Sequence, residues 1–167
     1  MRSISEWKGK AVFEHRSEGG VPYVTDARAN LWEDSGTKGP APMELFLGGL
    51  GGCTGVDIVF ILTKMRIDVR SLRITVDADR APEHPKVYTK VHVLYEIETD
   101  PVHEKKVLRA VELSSGRYCS ASAILAAVAD VTYTLAYNGK TFHGRVPLPP
   151  QARERVAAED EGGGDPP

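Results

Sequence analysis

A chain of 167 residues, 41% hydrophobic and 26% charged, is long enough to bury one substantial core. Its formal charge of −2 gives no electrostatic reason to expect nucleic acid or an anionic membrane as a partner. No run reads as the roughly 20 apolar residues of a membrane span. The start, Met1 to Lys8, lacks a signal peptide's apolar core, so the expected location is cytoplasmic. In a reducing cytosol a disulfide is expected to be transient and catalytic rather than structural.

In chain order, residues 5–32 read as short strands. Lys10–Glu14 and Val21–Thr25 flank the turn Ser17-Glu18-Gly19-Gly20. Asp34 to Pro42 is a loop by composition. Pro42 suits a helix start, and Glu44 falls in the first turn, where a carboxylate complements the helix dipole. Residues 43–66 then read as a mostly apolar helix. Each glycine inside it costs roughly 1 kcal/mol relative to alanine. Gly48, Gly49, Gly51, Gly52 and Gly55 therefore require a helix break or a close neighbouring element.

The second half changes period. Val69 to Ala78 alternate in part, whereas Val87, Val91, Val93, Tyr95 and Ile97 share one parity and mark a half-buried strand. Ala81 to Pro85 turns between these strands. Asp100-Pro101 opens a helix with Val107, Leu108 and Val111 on one face, and Ser114-Ser115-Gly116 stops it. An apolar helix from Ala121 to Val131 follows. Thr132–Tyr137 reads as the final strand, with Asn138-Gly139 turning after it. The acidic, Gly- and Pro-rich residues 151–167 are expected to be a disordered tail, leaving residues 1–150 as a single domain.

The only two cysteines, Cys53 and Cys119, each sit where a helix is expected to begin. Unpaired backbone N–H groups and the positive end of the dipole favour thiolate over thiol there. One reading is a peroxidatic and resolving pair, passing through sulfenic acid to a disulfide. Two buried cysteines acting as small hydrophobes is the other. A zinc site would want four ligands, and no C-x-x-C pair is present. His84, His92, His103 and His143 carry no recognisable motif and read as solvated surface groups.

Pro42 to Asp57, with Gly51-Gly52-Cys53-Thr54-Gly55 at its centre, resembles the first cysteine motif of the OsmC/Ohr family of hydroperoxide-reducing proteins. Tyr118-Cys119-Ser120-Ala121-Ser122-Ala123-Ile124-Leu125 resembles the second. The resemblance spans roughly residues 8–140 and is nearest the OsmC-like subgroup. It implies an α+β fold, with antiparallel sheets wrapped around central cysteine-bearing helices in an intertwined homodimer.

It also implies that Cys53 is peroxidatic and Cys119 resolving, in a cysteine-based enzyme that reduces organic hydroperoxides. An external dithiol then reduces the disulfide, with no cofactor or metal. Glu44 corresponds to the glutamate that orients an arginine beside the thiolate. That arginine is supplied by the N-terminal strand region, where Arg28 is favoured over Arg16, and Arg117 is a local alternative. Leu45, Phe46, Leu50 and Phe60 are candidates to line an apolar substrate pocket. A redox-responsive or small-molecule-binding protein with little turnover is the rival reading.

Overall fold

The computed structural model describes residues 1–28, 31 and 34–147, so the tail expected over 151–167 lies outside the described residues. Its chain forms two compact units, Met1–Gly48 and Gly49 onward.

In the first unit, β1 (Ser3–Trp7), β2 (Phe13–Ser17) and β3 (Tyr23–Thr25) form a three-stranded antiparallel sheet. The turn expected at Ser17–Gly20 joins β2 to β3. The strand expected at Lys10–Glu14 begins later, because Gly9 and Lys10 adopt positive φ and turn the chain between β1 and β2. A glycine meets that demand without strain.

Helix α1 runs unbroken from Pro42 to Lys64. At 23 residues it is long and apolar enough to cross a membrane by length and composition, contrary to the expectation that no segment is. The core helix of a folded domain meets the same test. Here Leu50, Thr54, Ile58 and Leu62 form a buried ridge at i, i+4 spacing, the face one helix stripe gives a core.

The second unit is built on a sheet ordered β4 (Ser71–Arg80), β5 (Tyr88–Glu98), β6 (Asp130–Tyr137), β7 (Lys140–Pro147). Val91, Val93, Tyr95 and Ile97 of β5 and Val131, Tyr133, Leu135 and Tyr137 of β6 are buried, as period-two alternation requires. Against the all-antiparallel expectation, β5 and β6 pair in parallel. Parallel neighbours need a long crossover rather than a hairpin. That crossover carries a 3₁₀ turn (Pro101–His103), α2 (Glu104–Leu113), a π turn (Ser114–Tyr118) and α3 (Ser120–Ala126).

Three further expectations change. Ser114-Ser115-Gly116 does not stop the chain's coiling but widens it into the π turn, closed by Cys119 N–H donating to the Ser114 carbonyl at 2.9 Å. The helix after Cys119 is shorter than expected, because Asp130 and Val131 already belong to β6. Strand β6 is also not the last: Asn138-Gly139 turns into β7.

The glycines of α1 divide by environment. A Cβ on Gly55 would lie 3.1 Å from Ile74 Cδ1 of β4, and one on Gly51 would meet Val76 and Ile74 at 3.7 and 3.8 Å. Close approach to the sheet therefore accounts for these two, whereas Gly48, Gly49 and Gly52 face open space.

Candidate redox site

Cys53 lies in the middle of α1, not at a helix start, because the glycines before it remain helical. Its backbone groups are spent within the helix, so the dipole argument made for it does not apply. Cys119 does begin a helix. It caps α3, and its sulfur accepts the Ser122 N–H at 3.4 Å.

The crossover and α1 bring the two sulfurs together. Cys53 Sγ, Cys119 Sγ and an Asp57 carboxylate oxygen all lie within 4.8 Å of one another. Both thiols are free; Cys53 is half-buried and Cys119 is only 3% exposed. Asp57 stands one helical turn beyond Cys53, so the two side chains share a face. The Ser114 hydroxyl, fixed by the π turn, donates to Asp57 Oδ2 and to the Thr54 carbonyl, each at 3.3 Å. Thr54 in turn donates its own hydroxyl back to the Leu50 and Gly51 carbonyls. Below this layer, buried Tyr95 hydrogen-bonds Ser115 Oγ at 3.1 Å.

Burial pushes the Cys119 thiol from an ordinary 9.0 up to about 11, and its hydrogen bond with Cys53 adds to the rise. Ser122 pulls the other way through its side chain and backbone N–H without overcoming desolvation. The buried Ser122 Oγ makes no well-formed hydrogen bond among the described residues. Even so, it is near enough to the sulfur to favour the thiolate. The expectation of an activated thiolate at this helix start is thus reversed: loss of water outweighs the cap. Burial likewise raises Tyr95, keeping its phenol neutral.

The other candidates are placed as follows. Glu44 caps its own helix, with Oε2 accepting the Ala41 N–H at 3.0 Å. That is half of a capping box. Arg16 is held by Glu14 at 2.7 Å in β2. Arg117 is exposed, with its guanidinium over the neighbouring Tyr118 ring at 5.7 Å. Arg28 is exposed in the first unit. Leu50 is core and fully buried, whereas Phe46 and Phe60 are exposed. His92 bonds Thr132 across the β5–β6 register.

Sequence reasoning missed Asp57 and Ser114. The i+4 spacing from Cys53 was the available signal for Asp57; nothing local marks Ser114. Three donor groups fall one short of a closed tetrahedral zinc site. Two thiols a few ångströms apart are suited to disulfide exchange, which needs only a small approach to form the bond.

A mixed sheet with a helical crossover, and a pair of close free thiols carried on α1 and at the start of α3, define an α+β protein with the features of a cysteine redox protein. The family model described as OsmC-like protein matches residues 34–134, and the chain belongs to that family. It is 30% identical to Protein YhfA of Escherichia coli K12 over 134 residues, covering 80% of this chain and 96% of that one. The solved structure of an OsmC like protein from Mycoplasma pneumoniae superposes with a TM-score of 0.66 at 20% identity, over 81% of this chain and 96% of the other. An organic hydroperoxide resistance protein OsmC from Legionella pneumophila gives 0.58 at 14% identity, over 81% and 97%. At these identities the two structures establish the fold alone.

Proposed function

We propose that the chain is a thiol-dependent peroxidase acting on organic hydroperoxides. The observation that carries this reading is the sulfur pair within 4.8 Å, one member half-buried and the other enclosed. Cys53, the accessible thiol, attacks the peroxide O–O bond as thiolate. It becomes a sulfenic acid, and the alkoxide leaves as alcohol on gaining a proton. Cys119 condenses with the sulfenic acid, releasing water, and an external dithiol reduces the disulfide. The substrate class is proposed by analogy with the Legionella protein of the same fold, which is named an organic hydroperoxide resistance protein.

Arg28 is the cation we assign to the Cys53 thiolate, with Glu44 orienting it. The engagement of Arg16 with Glu14 and of Arg117 with Tyr118 supports that choice. We also infer a homodimer. Val56, Val59 and Phe60 of α1 are 71%, 42% and 61% exposed, an apolar face that a second copy would cover. A cytoplasmic location fits a dithiol that must be returned to its reduced form.

The test is turnover of cumene hydroperoxide with excess dithiol. Cys53→Ser is expected to lose it entirely, and Cys119→Ser to stop at a trapped sulfenic acid. Equal peroxide consumption by Cys53→Ser and the parent protein would overturn the reading. One observation favours a redox-responsive protein with little turnover: a resolving thiol pushed up to about 11 is almost wholly protonated at neutral pH. A single oxidation without repeated cycles, whatever reductant is supplied, identifies that case.

A further inference from the structure

Cys119 is enclosed, capped and protonated, yet disulfide formation requires its proton to leave. A carboxylate stands beside it: Asp57 has an oxygen within 4.8 Å of both sulfurs. That is within reach directly or across one water molecule. The carboxylate does not hang loose. Ser114 Oγ, itself fully buried and fixed by the π turn, donates to Oδ2 at 3.3 Å. One oxygen of Asp57 is thus oriented by a buried donor.

We propose that Asp57 is the base that takes the proton of Cys119 as that thiol attacks the oxidised sulfur of Cys53. The proposal rests on the redox pairing above. In the sulfenic acid case the balance is complete. The Cys119 S–H bond breaks, the S–S bond forms, and the Cys53 S–O bond breaks. The proton passes to Asp57 and from there to the departing hydroxide, giving water. Thiol sulfur is oxidised and sulfenic sulfur reduced, with no further reactant. A thiol becomes a far stronger acid as it bonds to the second sulfur, so a carboxylate can accept its proton in the transition state although the resting thiol holds it tightly.

The groups facing Cys119 leave this role to Asp57. From α1 they are Cys53 and Asp57; from β5 it is Tyr95, a phenol kept neutral by burial. From α3 it is Ser122, which does not titrate. In the π turn, Arg117 is exposed, with its guanidinium over the Tyr118 ring. Tyr133 of β6 is also raised by burial, with Glu112 of α2 acting on it.

The experiment separates this step from peroxide chemistry. Cys53 of the reduced full-length protein is converted to its mixed disulfide with 5-thio-2-nitrobenzoate, and release of that coloured thiolate reports Cys119 attack. Asp57→Asn is expected to slow release on the order of 100-fold at neutral pH. The deficit should close at alkaline pH, as Cys119, still raised by burial, comes to ionise unaided. Asp57→Glu should restore most of the rate, and Ser114→Ala should give an intermediate loss. Release by Asp57→Asn at the parental rate across the pH range would overturn the proposal. So would a uniform loss that no pH repairs, which is what a merely structural role predicts. If the parent shows this dependence but no sulfenic acid forms with cumene hydroperoxide, the peroxidase reading falls and the role of Asp57 stands.

Discussion

Cys53 and Cys119 meet at one point but are held there by opposite means. Cys53 rides on a regular helix, half-exposed, its position set by the packing of one buried ridge. Cys119 sits at a junction of irregular backbone, between a π turn and a short helix, and is almost fully enclosed. The regular element supplies access. The irregular one supplies proximity and a polar second layer, through Ser114 and Ser122. The difference shows why a cap hydrogen bond alone does not activate a thiol. Cys119 has that bond and is still driven up, since desolvation of the anion exceeds what a single N–H at 3.4 Å returns.

The largest expected effect breaks the support of the regular side. Ile58 is fully buried on the α1 ridge, one turn beyond Thr54. Ile58→Ala should cost about 2–5 kcal/mol by lost burial and the cavity left behind. Val59→Ala, on the exposed side of the same turn, should stay within about 0.5 kcal/mol for the dissociated chain, where that face is open. Urea unfolding of the two variants checks the contrast. Similar losses at both positions would mean that the exposed face is already covered.

On the irregular side the expected effects follow pH. With Cys53→Ser isolating Cys119, alkylation should be slow at neutral pH and rise about tenfold per pH unit to a plateau above 9 but short of 11, because burial still raises the thiol while the part that Cys53 adds is gone. A plateau near 9 would show that burial does not control the thiol. The same shift carries a stability consequence. Because the folded value is raised, the fold retains the proton that the unfolded chain loses above about 9. The contribution is therefore fully present below 9 and is lost as pH climbs through about 11. Cys119→Ser should flatten that part of the stability–pH curve, by an amount on the order of 1–3 kcal/mol.

Much of this arrangement was legible in the sequence, and what was hidden is instructive. The alternation of Val91, Val93, Tyr95 and Ile97 marks β5 because one face of that strand meets the core. The two cysteine motifs carry the family. Their meeting in space was an expectation that only the crossover realises. The parallel pairing of β5 with β6 is a long-range choice that no local pattern encodes. Ser114-Ser115-Gly116 has breaker composition, yet the two serines are buried and hydrogen-bonded, so tertiary partners override propensity there. Cys53 was misplaced relative to its helix because glycine cost was read as a break. Where Gly55 lies against Ile74, that cost is offset by packing no larger residue permits without movement.

The smallest expected effects test that last point. Gly52 and Gly55 are both helical, but a Cβ on Gly52 meets nothing within 4 Å, and one on Gly55 meets the Ile74 terminal methyl at 3.1 Å. In the dissociated chain Gly52→Ala should therefore stabilise by about 0.5–1 kcal/mol, through reduced freedom of the unfolded chain and better helix propensity. Gly55→Ala gains the same propensity but must push a flexible methyl aside by a few tenths of an ångström, so its net change should lie near zero. Chemical unfolding of both variants, with oligomeric state measured alongside, reads the difference. If Gly52→Ala instead destabilises the protein and weakens self-association, a second copy already lies against that glycine. The open face of α1 would then be the interface that the homodimer reading requires.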